Sequence, residues 1–360
     1  MTAGRAGRFA AVTRPVAMAV LASLIAFIAM GLLFPAAATK VPTHAQGGDD
    51  LAFYRAVVAR VRNGQPYEAA AVAQLHAVKG PLRPFLVVRP PALATMLAWL
   101  PDPRWGDMIM MLTSVAVICG WGVRFRQLGW PPLTVGAAAF CVYTGVAAPM
   151  VSHGMSLVHD AWAGLLIALS LAARTEKRFA AALALGLMAA LIRELALPYL
   201  LVMALAALME RRRAEAVAFA VALGVALAAL AWHAHAVIAL TSSHDLHSPG
   251  WVKFGGWRFV MATVKWELVV ILGGGAAAAV VVPLAAAGAI GRSDGLGLRL
   301  AMLLVGYVLG FMAIGRPENG YWGLVTVPTL AIALCFAPSA LRDLWSRATG
   351  DFNGGGRGLA

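Results

Sequence analysis

Long apolar runs separated by short polar clusters make up most of the chain, and their length predicts helices rather than strands. A first run extends from Pro15 to about Ala38. Others cover roughly 105–123, 131–151, 155–173, 179–192, 195–209, 215–239, 264–290, 297–314 and 323–337, which makes ten in all. Several approach the ~20 residues a helix needs to cross a bilayer. One further segment, "PFLVVRPPALATMLAWLPD", holds only about ten uninterrupted apolar residues, roughly 15 Å of helix, and Arg89 and its prolines interrupt it. It reads as an interfacial helix. The expectation is an all-α polytopic membrane protein of about ten transmembrane helices.

Composition agrees: 61% of the 360 residues are hydrophobic and 12% charged, outside the range of soluble domains. The net charge of +13 would suggest nucleic acid in a soluble chain. Here the basic residues cluster between apolar runs and report orientation, so no nucleic-acid partner is expected. With 91–101 in the interface, Arg5, Arg8 and Arg14, then Arg124 and Arg126, then Arg174, Lys177 and Arg178, then Arg211, Arg212 and Arg213 all fall on one side, with Arg292, Arg299, Arg342 and Arg347. That side is read as cytoplasmic and holds both termini. The apolar part of the first run is too long for a cleaved signal peptide and reads as an uncleaved span.

The domain expectation is one multispan body, 1–340, with 39–104 as an external loop bearing interfacial helices and 341–360 as a Gly-rich, disordered cytoplasmic tail. Gly306 and Gly310 read as a helix-packing surface. Cys119, Cys141 and Cys335 lie in apolar segments without CxxC spacing, which indicates neither disulfides nor a cysteine metal site. No phosphate-cradling glycine motif joins a strand to a helix, so nucleotide binding has no support.

Charges at membrane depth are costly, which makes those retained near one face functional candidates. The topology gathers Asp49 and Asp50, Asp160, Arg193 and Glu194, and Arg316 and Glu318 at the external ends. Carboxylates can take a proton and arginines can hold a phosphate, a set suited to group transfer from a phosphate leaving group to a hydroxyl. Plainer readings stand beside this one. Asp49 or Asp50 could cap the helix that follows, Arg193 and Glu194 could be a local ion pair in a turn, and Asp160 with His159 could be a helix-terminal pair. In "RPENGYWG", Asn319, Tyr321 and Trp322 could contact sugar or simply anchor the interface. Arg55, Arg60 and Arg62 suit the solvent or headgroup face of an amphipathic helix. His233, His235, His244 and His247, with Asp245, could hold a divalent metal, but the spacing matches no strong motif, and no cofactor is expected.

Asp50-Leu51-x-x-Tyr54, the arginine-rich helix after it, "NGQPYEA" from Asn63 and "RPPALATML" from Arg89 occur in an order that resembles the first extracytoplasmic loop of GT-C superfamily membrane glycosyltransferases, in particular the polyprenyl-phosphate-mannose-dependent type. Arg89 stands where a tyrosine is usual, and Ala92 where a leucine is. The resemblance implies a GT-C-like fold and a hexosyltransferase with Asp50, or its neighbour Asp49, as the base that deprotonates an acceptor hydroxyl. It implies Arg193, Arg316 or Arg89 on the donor phosphate and Tyr54, Glu194, Asp160, Glu318, Asn319 and Tyr321 around the substrate. The partners would be a polyprenyl-phosphate sugar donor, a glycan, lipid or protein acceptor, and membrane lipids. The setting would be a bacterial inner membrane with the first loop in the periplasm. A transporter or flippase of a lipid-linked or anionic solute, and a non-catalytic membrane protein, remain open on the residues alone.

Overall fold

The computed structural model describes residues 7–34, 50–147, 150, 152–272 and 275–350, and for 266–272 the backbone alone. These residues are helical, with an isolated bridge between Arg83 and His247 as the only β pairing among them. The helices are α1 Arg14–Leu33, α2 Asp50–Arg62, α3 Tyr67–Ala77, α4 Ala92–Trp99, α5 Arg104–Gln127, α6 Pro132–Thr144, α7 His159–Ala173, α8 Ala180–Ile192, α9 Leu197–Met209, α10 Arg213–Ala239, α11 Gly256–Leu272, α12 Gly275–Gly291, α13 Gly295–Ala313, α14 Val327–Leu334 and α15 Ala337–Thr349. Short 3-10 turns stand at Phe85–Val87, Met155–Leu157, Glu194–Ala196 and Pro317–Val325.

Four of these helices, α1, α5, α10 and α13, are long and apolar enough to cross a bilayer, and α14 with α15 makes a fifth if the pair, bent by 48°, is one span. The remaining apolar runs form shorter helices of 13 to 17 residues such as α6, α7, α8, α9 and α12. Proline sets several of these limits. It stands in the first turn of α6, α9 and α14, where a missing N–H costs nothing because no helical acceptor precedes it.

The run 264–290 does not form one helix. Met261 of α11 and Ala279 of α12 both lie within 3 Å of where a Cβ on Gly31 would stand. Eighteen residues of unbroken helix would put them about 27 Å apart. The chain folds back between α11 and α12, and α11 lies along the Pro317–Val325 turn while α12 packs on α1, α14 and α15. The C-terminal segment also differs from the expected tail. Helix α15 runs to Thr349 because Ala340 and Leu344 on one face pack with Phe9 and Ala17. The expected disorder of 351–360 falls outside the described residues. Gly306 and Gly310 pack against nothing among the described residues, since a Cβ at either would meet open space there.

The first loop is built as a lid of three short helices. Helix α4 is eight residues long, about 12 Å, and cannot cross a membrane. The carbonyls at its end need donors, and Arg62 of α2 supplies them, reaching Leu97, which also accepts from the Leu100 N–H, and Ala98 and Leu100, at 3.2 to 3.4 Å. Arg62 therefore ties α2 to α4, where the sequence suggests a solvent or headgroup face. Below the lid, Asp107 of α5 accepts from the Ser156 hydroxyl at 2.5 Å and from the Gly154 N–H at 3.3 Å, which fixes the turn that leads into α7.

At the opposite end, Arg174 and Arg299 share Glu210 and Glu215. Arg174 donates to Glu215 at 3.0 Å and Glu210 at 3.0 Å, and Arg299 donates to Glu210 at 2.7 Å and Glu215 at 3.2 Å. Arg299 and Glu215 are almost wholly buried. This network joins the end of α7, the α9–α10 turn and the start of α13.

Close backbone approach, rather than side-chain interlock, holds α7 against the Pro317–Val325 turn. A Cβ on Gly164 would stand 2.1 Å from the Leu324 carbonyl oxygen. Gly164→Ala is expected to cost about 1–3 kcal/mol, seen as a lowered unfolding midpoint in detergent. Gly306→Ala, with no neighbour to displace, should leave the midpoint unchanged or raise it.

Candidate functional site

The turn between α8 and α9 carries a guanidinium into the protein at the end where the lid sits. Arg193 is wholly buried. Its Nε donates to Asp160 Oδ1 at 2.9 Å, and its Nη1 donates to Glu194. Asp160 begins α7, and Glu194 follows Arg193 in a 3-10 turn that ends where Pro198 stands in the first turn of α9. The geometry follows from the sequence: helix α8 stops at Ile192 because Arg193 is extended, and that break turns two charged side chains inward.

A second guanidinium reaches the same carboxylate from the lid. Arg89 lies 3.5 Å from Glu194 Oε1 and donates to the Tyr321 hydroxyl at 2.7 Å. The backbone that carries it is clamped twice. The Tyr67 hydroxyl donates to the Arg89 carbonyl at 2.7 Å, and His233 of α10 bridges the Val88 carbonyl and Glu68, each at 3.1 Å. Glu68 is held below its usual range by that His233 hydrogen bond, against the opposing effect of burial.

Electrostatics follow from this packing. Burial opposes the charge on Glu194, but Arg193 and Arg89 outweigh it and hold the carboxyl below the usual glutamate range. Burial likewise works against the charge on Arg89, and the oxygens of Tyr321, Tyr54, Glu194 and Asp160 more than offset it. Tyr54 is pushed up by burial and stays a phenol, with Asp50, one helical turn earlier, adding to the rise.

The structure thus brings Tyr54, Arg89, Asp160, Arg193, Glu194 and Tyr321 together, from five separate segments. Asp50 stands at the first residue of α2, partly buried. Asp49 lies outside the described residues. Arg316 is engaged elsewhere: it pairs with Glu318 at 3.0 Å, donates to the Pro249 carbonyl at 3.0 Å and stands 5.8 Å from the Trp251 ring centre. Asn319 is buried and accepts from the Arg316 N–H at 3.3 Å, so it shapes its own turn. The histidines disperse. His233 faces inward, while His235, His244 and His247 are exposed, and His76 is the partner of Asp245 at 2.9 Å. Among the described residues no three His, Cys, Asp or Glu side chains are grouped to hold a metal.

No protein-family model matches the chain, and no curated protein or solved structure matches it either.

Beside the cluster lies a cavity of about 360 Å³ between α4, α8 and α10, lined by apolar side chains such as Met96, Trp99, Leu191 and Leu230, with Glu194 as its one charged residue. Sequence reasoning did not find this groove, nor Asp107, Glu68 and Tyr67 as supports. Glu68 and Tyr67 lie in the "NGQPYEA" segment, where position alone drew notice; the role of Glu68 depends on His233, 165 residues away, and that of Tyr67 on the Arg89 carbonyl in the same loop.

Glu194 compensates the buried Arg193 and the mostly buried Arg89, and its removal leaves them short of negative charge. Glu194→Gln is expected to lower stability by about 3 kcal/mol at pH 7. Because the folded carboxyl titrates below its ordinary value near 4.5, the stabilisation is complete above that value and is lost only as pH falls through the depressed one. Unfolding midpoints of wild type and variant should differ equally at pH 7 and pH 5.5 and draw together only as pH falls well below 4.5.

Proposed function

We propose that the protein is an integral-membrane glycosyltransferase that moves a sugar from a polyprenyl-phosphate donor to an acceptor hydroxyl on the extracytoplasmic face. One observation carries the reading. Arg193, wholly buried, and Arg89, mostly buried, share Glu194 beneath a lid whose first helix starts at Asp50, and Glu194 also lines an apolar groove of about 360 Å³. A lipid chain suits the groove, a phosphate suits paired guanidiniums, and a carboxylate at the lid suits a base. The Asp50-Leu51-x-x-Tyr54 motif supports the same assignment.

In the proposed reaction the Asp50 carboxylate takes the proton of the acceptor hydroxyl as its oxygen attacks the anomeric carbon. The bond from that carbon to the phosphate oxygen breaks, and its electron pair leaves with the polyprenyl phosphate. Charge then grows on the phosphate, where Arg89 and Arg193 stabilise it more than in the bound donor, which is the condition for acceleration. Arg316, engaged with Glu318 and Pro249, has a place at the edge of the site rather than on the leaving group.

The proposal includes ten crossings: α1, α5, α6, α7, α8, α9, α10, α12, α13 and the bent pair α14–α15, with α2, α3, α4 and α11 lying in the external interface. Both termini and the basic clusters are then cytoplasmic, in a bacterial inner membrane with the lid in the periplasm. Gathering of the site at one end of the helices favours transfer over transport, which usually places its polar residues near the midplane.

The test is sugar transfer by purified protein given radiolabelled polyprenyl-phosphate sugars and membrane extract. Asp50→Asn is expected to lower transfer by about a hundredfold or more with the fold intact, and Asp49→Asn to leave it largely unchanged. Absence of transfer from any donor, or full activity in both variants, overturns the proposal.

A further inference from the structure

Two histidines are buried among the described residues, and their surroundings treat them differently. His233 uses both ring nitrogens, on Glu68 and on the Val88 carbonyl. His159 has a hydrogen-bond partner on neither. The Leu157 carbonyl interacts with its ring but without hydrogen-bond geometry. The ring lies against Tyr54, with centroids 5.2 Å apart, and the Arg89 and Arg193 guanidiniums act on it from nearby. With Tyr54 and Arg89 it lines a cavity of about 20 Å³, room for about one oxygen-sized group.

Two further buried atoms of the same cluster have no hydrogen-bond partner: Arg193 Nη2 and Glu194 Oε2. Buried polar groups in native proteins are nearly always paired, so three exceptions in one cluster point to a ligand that completes them. Their chemistry limits what the ligand can be. Arg193 Nη2 only donates, Glu194 Oε2 only accepts, and a neutral imidazole offers one N–H and one lone pair. Of these two ring functions, the lone pair is the one that accepts from a ligand hydroxyl. A bare phosphate, all acceptors, satisfies the arginine alone. A polyhydroxyl ligand donates to His159 and Glu194 and accepts from Arg193, which satisfies all three.

Resting on the glycosyl-transfer reading above, we infer that His159, together with Glu194, binds hydroxyls of the donor's sugar, and that His159 is a substrate-contacting residue of this site. The phosphate is then left to Arg89 and the remaining reach of Arg193. The alternative is a trapped water in the small cavity, with no part in recognition.

The experiment measures equilibrium binding of two probes to the full chain in lipid nanodiscs: polyprenyl phosphate carrying mannose or glucose, and the same lipid phosphate without sugar. The quantity read is the ratio of the two affinities. His159→Phe keeps a ring of similar size and removes both nitrogens. It is expected to reduce the preference for the sugar-bearing lipid by about tenfold, leave binding of the bare lipid phosphate within twofold, and leave the unfolding midpoint unchanged or raised. His159→Gln, which retains an acceptor, should recover part of the preference. An unchanged ratio in His159→Phe, or an equal loss for both probes, overturns the inference while leaving the transferase reading in place. Failure of the wild type to bind either probe overturns that reading and the inference with it.

Discussion

A guanidinium shut away from solvent has to be neutralised where it stands, and Arg193 is shut away completely. Its charge costs several kcal/mol to bury unless carboxylates meet it with good geometry. Asp160 and Glu194 do so, and the arrangement sets much else in the molecule. Helix α7 must begin at the height of the α8–α9 turn, α8 must end there, and Glu194 must be shared when Arg89 arrives from the lid. The far end obeys the same constraint through Arg174, Arg299, Glu210 and Glu215. Two charge-compensated clusters thus pin the two ends of a bundle whose middle is mostly alanine, glycine and leucine and offers little directional packing of its own.

The two clusters differ in completeness. At the Arg174–Arg299 end each carboxylate is met by guanidinium donors on more than one side. At the Arg193 end, a carboxylate oxygen, a guanidinium nitrogen and an imidazole are left without hydrogen-bond partners. The Arg174–Arg299 end leaves one such atom, Arg299 Nε, with every oxygen of its two carboxylates met, so the larger unmet demand lies at the Arg193 end, as suits a binding site more than a structural joint. The groove beside Glu194 gives that incomplete cluster an apolar approach.

Much of this was legible in the sequence because charge inside apolar runs is so rare. Asp160, Arg193, Glu194, Arg89, Tyr54 and Tyr321 stood out from their neighbours, and the structure gathers them. What the sequence did not disclose were pairings across long separations. Arg62 as the cap of α4, His233 as the clamp on Val88 and the sharing of Glu210 by Arg174 and Arg299 depend on which helices become neighbours, which hydropathy does not specify. The basic clusters were read as orientation signals, yet Arg174 and Arg299 are also buried structural partners. The fold-back between α11 and α12 is hidden for a simpler reason: residues 268–272 before the break and 275–282 after it keep the apolar run continuous. Helix α15 was missed because a polar segment looks unstructured until its Ala340–Leu344 face finds Phe9.

The central claim is that the Arg89–Glu194–Arg193 cluster receives the phosphate and sugar of a lipid-linked donor. The most direct measurement is an electron cryo-microscopy structure in lipid nanodiscs with a non-transferable polyprenyl-phosphonate sugar bound. Phosphorus density is expected between Arg89 and Arg193, the sugar against His159 and Glu194 beneath α2, and the chain in the groove between α4, α8 and α10. Headgroup density at the Arg174–Arg299 end or between the helices at mid-depth, with the Arg193 cluster empty, would contradict it.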